Sequence, residues 1–345
     1  MHAVASRRSA FVLACTLVAL AWIGACEADA APPRDAAVSA DAGTNDAAPS
    51  TDATFDADPP TDADTPDAAP ARDAAPPPAD AGAGSLLTDG HEVLFVGNSY
   101  TYANDLPSLH RLFAGSLPPV PVRIDSVTAG GYTLAQHATD AATDGTALAG
   151  HLRTGTSDAT SWDVVVLQEQ SQTPGFPEGS PPRRASEEGA ASLARLAATK
   201  GAAVLLFATW GRARGDAMNP TLYPDFLTME ARLEEGYRAL AASAAAAGAR
   251  VRIAPVGPAF ARVHADVVAA GRDPLAAGSE FLALYVADGS HPSARGTYLA
   301  ACVILGAITG VDPRTLPDAL GLDASVCAAL RDTAAATLAD PVWAP

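Results

Sequence analysis

Three side chains in this chain of 345 residues could together make a working nucleophile: Ser99, Asp288 and His291. A serine hydroxyl attacks poorly until a base takes its proton, and that base needs an acceptor to fix its tautomer. The stretch Ala287-Asp288-Gly289-Ser290-His291-Pro292-Ser293 supplies both at short spacing. Asp288 can accept from Nδ1–H of His291, which leaves Nε2 free for the proton of Ser99. Pro292 suits the first turn of a following helix and would pin His291 at the junction. A capped helix beside an exposed histidine reads the same, so the fold must bring a serine to it.

The elements that would do so can be read from periodicity. Ser99 follows Glu92-Val93-Leu94-Phe95-Val96-Gly97-Asn98, an apolar run that turns on Gly97 and Asn98. Further strand-length runs lie at 122–127, 164–167, 204–208 and 251–255. Those at 93–96, 164–167 and 204–208 are unbroken, as parallel strands covered on both faces are. The runs carrying Arg123, Asp125 and Arg252 suit sheet edges. Helical patterns over 106–114, 134–152, 183–199, 223–247, 259–270, 293–309 and 324–338 alternate with or follow the strands. The expectation is an α/β fold, a three-layer α/β/α sandwich around a parallel sheet of about five strands. Ligands of such sheets bind beyond the carboxyl ends of the strands, where Ser99 lies.

At these blocks the sequence resembles the SGNH hydrolases, the GDSL-type esterase superfamily. Gly97-Asn98-Ser99-Tyr100-Thr101 matches that family's nucleophile turn, and Asp288 with His291 matches its D-x-x-H block. Thr128-Ala129-Gly130-Gly131-Tyr132 matches the glycine block whose N–H helps bind an oxyanion, with Gly131 preferred over Gly130. The resemblance spans residues 90–312 in the right order. The third block departs from it. Trp162-Asp163-Val164-Val165-Val166-Leu167-Gln168-Glu169-Gln170-Ser171 has no asparagine, and resembles a subgroup with W-D-x-V-x-L-Q and D-G-x-H-P-S blocks. Gln168, whose backbone the strand would anchor, is the expected replacement donor beside Ser99 and Gly131, with Gln170 in reserve.

The resemblance implies a flavodoxin-like SGNH fold and a serine esterase that uses no metal or other cofactor. The substrate it implies is a carboxylic ester, with acetyl groups on a carbohydrate as a candidate. A lipase- or thioesterase-like activity on longer chains stays open. So does a tethered glycan-binding protein that kept the fold and lost turnover.

Outside these blocks the chain is uneven. Residues 1–26 carry Arg7 and Arg8, then an apolar run ending Ile23-Gly24-Ala25-Cys26. That is an export signal rather than a spanning helix. Its end resembles a bacterial lipobox, so Cys26 is the expected lipidation site. Cleavage at Ala30 is the alternative, and the mass of the mature N-terminus separates the two. Residues 27–84 are rich in Ala, Asp and Pro, with 13 acids against Arg34 and Arg72. Such a stretch has too little to bury and should stay disordered and extended. We take this linker to residue 88 and the catalytic domain as 89–345. The expected location is an exported lipoprotein, periplasmic or at the cell surface, held to the membrane through Cys26.

The net charge of −17 leaves residues 85–345 at −8 once the basic signal and acidic linker are set apart. An acidic domain is a poor partner for nucleic acid. Cys302 and Cys327 lie in apolar helical patterns. Export permits a disulfide there, and a pair of free core thiols fits equally. His91, His110, His137, His151 and His264 lack a partner acid at triad spacing and read as core or surface, though His137 follows the glycine block closely. Trp210, at a strand end, suits either the core or a cleft wall.

Overall fold

The computed structural model describes residues 84–343 apart from 89, 119 and 154–160. The expected signal segment, Cys26 and the body of the expected linker lie outside the described residues. β1 (His91–Gly97) leads into α1 (Ser99–Tyr102) and α2 (Leu106–Ala114). β2 (Val122–Thr128) precedes α3 (Leu134–Ala142) and α4 (Ala147–Leu152). β3 (Val164–Leu167) precedes α5 (Pro181–Thr199), and β4 (Ala203–Phe207) precedes α6 (Phe226–Ala246). β5 (Val251–Ala254) is followed by α7 (Val256–Ala269), α8 (Ala294–Thr309) and α9 (Ala324–Leu338).

The five strands form one parallel sheet in the order β2-β1-β3-β4-β5. The two charged strands, β2 and β5, take the edges as their sequences suggest. Side chains of the central strands alternate between two cores, as a period of two requires. Val93, Phe95, Val166 and Leu205 pack with residues of α2, α7, α8 and α9. Leu94, Val96, Val165 and Leu206 pack with residues of α3, α4, α5 and α6. Each such side chain contributes roughly 1.5–3 kcal/mol by leaving water. Both faces are therefore covered, which makes the three-layer α/β/α sandwich.

Three details differ from the sequence reading. The helix expected over 134–152 is two, because Gly145 turns the chain at φ 83° and Thr146 caps α4 through the Ala149 N–H. Leu86, which fell within the linker boundary, is already buried in the core, and its N–H donates to Ile308 O at 2.7 Å. Pro292 lies one residue ahead of the α8 N-cap, and Ser293 makes the cap. Cys302 and Cys327, left open above, are free and buried.

One contact fixes where α3 begins. A Cβ on Gly189 of α5 would stand 2.6 Å from Ala135 N. The two helix backbones meet there, and no side chain fits. This seats the start of α3, and with it the glycine block that precedes it.

Two buried groups contribute in opposite senses to how stability varies with pH. His91 Nε2 lies 2.8 Å from His110 Nε2, so one ring donates and the other accepts. Burial pushes His91 down to about 4, against a smaller pull from Asp163. Glu230 of α6 accepts from the Gly211 N–H at 2.8 Å, yet burial pushes its carboxyl up to about 8. Unfolded, these groups titrate near 6.5 and 4.5. Between about 4 and 6.5 the unfolded chain holds the extra proton at His91, so stability drops as pH falls through that window. Between about 4.5 and 8 the folded chain holds the extra proton at Glu230, so stability drops as pH rises through it. Glu230→Gln keeps the neutral shape. Relative to wild type it should gain on the order of 3 kcal/mol between pH 5.5 and pH 8.5 in urea unfolding. Parallel pH profiles for the two proteins would mean that Glu230 ionises normally.

Candidate active site

The strand register gathers the chemistry at the carboxyl end of the sheet. Gly97 pairs with Thr128, and Val96 pairs with Leu167. Ser99, Gly131 and Gln168 therefore leave the sheet side by side at its carboxyl end. Ser99 is half-buried and opens α1, with Asn98 as its N-cap. The Asn98 side chain accepts from Tyr100 N–H at 3.2 Å and donates to Tyr132 O at 2.9 Å. This asparagine thus ties the nucleophile turn to the glycine block.

Ser99, His291 and Asp288 form one continuous chain of hydrogen bonds. Ser99 Oγ lies 2.9 Å from His291 Nε2, and His291 Nδ1 lies 2.6 Å from Asp288 Oδ2. Asp288 Oδ1 also accepts the backbone N–H of Ser290 at 2.8 Å and of His291 at 2.9 Å. Burial disfavours the Asp288 charge, but the His291 ring and these two N–H groups outweigh it and hold the carboxyl below its usual range. An ionised Asp288 leaves Nδ1 protonated and Nε2 free to accept from Ser99. Gly289, at φ 67°, makes the turn that folds acid and base together.

Gly131 has φ 70°, a backbone state that a side chain would strain. Among the described residues, neither its N–H nor that of Ser99 finds an acceptor. Both are free for a ligand.

Gln168 does not sit as an oxyanion donor. Its side chain is fully buried beneath the nucleophile turn. Oε1 accepts from Asn98 N–H at 2.9 Å and from the Thr101 hydroxyl at 2.8 Å. Nε2 donates to Asn98 Oδ1 at 2.9 Å and to Glu169 O at 2.5 Å, so both amide hydrogens are committed. The space it fills is the one a Gly97 side chain would need. A Cβ there would stand 2.6 Å from Gln168 Oε1. Gln168 braces the turn from below.

Gln170 is placed differently. It is half-buried, and its Oε1 accepts from Gln172 N–H and from the Thr173 hydroxyl, each at 3.0 Å. Its Nε2 has only a 3.5 Å approach to Ser171 Oγ. The amide is anchored through oxygen and keeps donor capacity.

Sequence reasoning missed Glu169. Buried between these glutamines, it accepts from Leu134 N–H at 3.0 Å, Gln170 N–H at 2.6 Å and the Ser186 hydroxyl at 2.6 Å. Burial raises its carboxyl above the usual value, against those three bonds. It joins the end of β3 to the start of α3, just after the glycine block. An acid two residues past an apolar strand was the available signal. His137 is buried, with Nε2 2.9 Å from Gly97 O, and so belongs to the core beneath the turn. Trp210 is also fully buried and walls no cleft.

No family model matches the chain, and no curated protein does. Among solved structures, a DUF4886 family protein from Bacteroides uniformis shares the fold. It is 18% identical, with a TM-score of 0.55, over 73% of this chain and 96% of its own. A protein from Slackia heliotrinireducens, proposed to be an SGNH hydrolase, is 29% identical over 64% of this chain and 99% of its own, with a TM-score of 0.47. A variant of an acetyl-xylooligosaccharide esterase from Geobacillus stearothermophilus is 16% identical over 68% of this chain and 100% of its own, with a TM-score of 0.44.

Proposed function

We propose that this chain is a serine esterase that hydrolyses carboxylic esters through an acyl-enzyme. The observation that carries the reading is the unbroken hydrogen-bond chain from Ser99 Oγ through His291 to Asp288. In the proposed cycle Ser99 Oγ attacks the ester carbonyl while His291 Nε2 takes its proton. The carbonyl oxygen becomes an oxyanion, and the N–H groups of Ser99 and Gly131 donate to it. Collapse expels the alcohol, which receives the proton from His291, and the acyl group stays on Ser99. A water then gives its proton to His291 and attacks the acyl carbon. Breakdown of that second intermediate releases the acid and returns the proton to Ser99. Asp288 stays ionised throughout, holding the imidazole and stabilising its charged form.

On the acyl side the sequence resemblance supports a short group such as acetyl, carried by a carbohydrate. The test is a panel of purified protein against acetyl, butyryl and long-chain esters and acetylated sugars. Turnover should be greatest on acetyl esters, and a fluorophosphonate should label Ser99. A protein that hydrolyses none of them and takes no label would be a non-catalytic binder of the same fold.

A further inference from the structure

The two partners of Ser99 stand on a loop with little sheet to steady it. Asp288 and His291 are each close to half exposed as side chains. The loop is closed at its base by one bridge, Tyr285 with Pro292, and by Val286 N–H donating to His291 O at 3.0 Å. A serine–imidazole contact tolerates little error, since a displacement of about 1 Å can cost roughly 10²-fold in rate. Something outside the loop must hold it at the distance seen.

Besides the Ala213 N–H, which donates to Gly289 O at 2.8 Å, Ser290 is where it is held. Its Oγ lies 2.6 Å from the Tyr100 hydroxyl, and its carbonyl accepts from Trp210 Nε1 at 3.0 Å. Tyr100 is the residue after Ser99 and is buried. Its ring stacks on Trp210 at 4.7 Å and 6°, and Trp210 stacks on Phe260 at 4.4 Å and 3°. The same Tyr100 ring meets His291 edge-on at 5.4 Å and 69°. One side chain, covalently next to the nucleophile, therefore touches both the base and the residue before it. The stack leaves it no freedom to follow a drifting loop.

We propose that Tyr100 is a positioning residue: through its hydroxyl on Ser290 Oγ it sets the approach of His291 to Ser99. The contact thus ties the loop after β1 to the Asp288–His291 turn. Its effect on rate rests on the esterase reading; its effect on His291 geometry does not.

The experiment compares Tyr100→Phe, Ser290→Ala and the double variant in the full chain. Tyr100→Phe keeps the ring and the stack and removes only the hydroxyl. Each single variant should lower kcat on a short ester by roughly tenfold with KM nearly unchanged. The double variant should be no slower than the slower single one, because both delete one contact. Losses that multiply would overturn the proposal. A second readout needs no turnover: the NMR titration of the His291 ring, assigned through His291→Gln. It should shift in Tyr100→Phe and in Ser290→Ala while the thermal midpoint falls by no more than a few degrees. An unchanged His291 titration in both overturns the proposal even if wild type hydrolyses nothing. A wild type that is inactive but whose His291 moves with Tyr100 would sink the esterase reading and keep this one.

Discussion

Ser99→Ala is expected to lower ester turnover by roughly 10⁴–10⁶-fold while leaving the fold intact. In the proposed cycle this oxygen makes and breaks the acyl bond, and no neighbour can replace it. Tyr100, the next hydroxyl along the chain, is buried and committed to Ser290. The residual rate would come from the oxyanion donors and binding, which act without the nucleophile. The cost to stability is small for a separate reason. Among the described residues the Ser99 hydroxyl has one hydrogen-bond partner, His291 Nε2. Losing a half-buried bond of this kind removes about 0.5–1.5 kcal/mol, a few degrees in thermal midpoint for a domain of this size. Steady-state rates on an acetyl ester, with a melting curve for the same sample, decide the matter. A folded Ser99→Ala protein that still hydrolyses at the wild-type rate would remove the esterase reading whatever the triad distances are.

The parts of this site that lie along single segments could be read from sequence. Unbroken runs such as Val164-Val165-Val166-Leu167 announce strands with two covered faces, and Arg123 and Arg252 mark the edges. Asp288 and His291 announce themselves by their spacing. What escapes is direction and distance across segments. Gln168 is the first polar residue after β3, but its sequence position alone does not say which way it points. The missing step was register: β3 lies beside β1 with Leu167 next to Val96, so Gln168 comes next to Gly97. A glycine there leaves room for a buried amide, and Gln168 fills it. The Tyr100–Trp210–Phe260 stack is illegible for a stronger reason. Its members follow β1, β4 and β5, and only the strand order brings them together. The break between α3 and α4 was within reach, since Asp144-Gly145-Thr146 is turn chemistry. The apolar period runs on through it and hides it.

Gln170→Ala is expected to lower kcat by roughly 10²–10³-fold with little change in KM or stability, and Gln168→Ala to act through stability instead. Acyl transfer puts negative charge on the carbonyl oxygen, and preplaced donors must meet it. The N–H groups of Ser99 and Gly131 supply two. We propose Gln170 as the third, because its oxygen is pinned by Gln172 and Thr173 while its Nε2 is nearly free. An amide held at one end presents the other without reorganising. Loss of one such donor costs about 2.7–4 kcal/mol of transition-state stabilisation. Gln168 carries the opposite load. Removing its amide leaves Asn98 N–H and the Thr101 hydroxyl without their acceptor inside the core. A buried group so orphaned costs about 1–3 kcal/mol, so the pair should lower the thermal midpoint by roughly 10 °C. Gln170→Glu sharpens the contrast: it keeps the anchoring oxygen but turns the donor into an acceptor, and should be no more active than Gln170→Ala. Rates and melting curves on the three variants separate the roles. If Gln168→Ala melts like wild type and loses kcat, while Gln170→Ala keeps it, then Gln168 turns toward the oxyanion during turnover and the third donor is there.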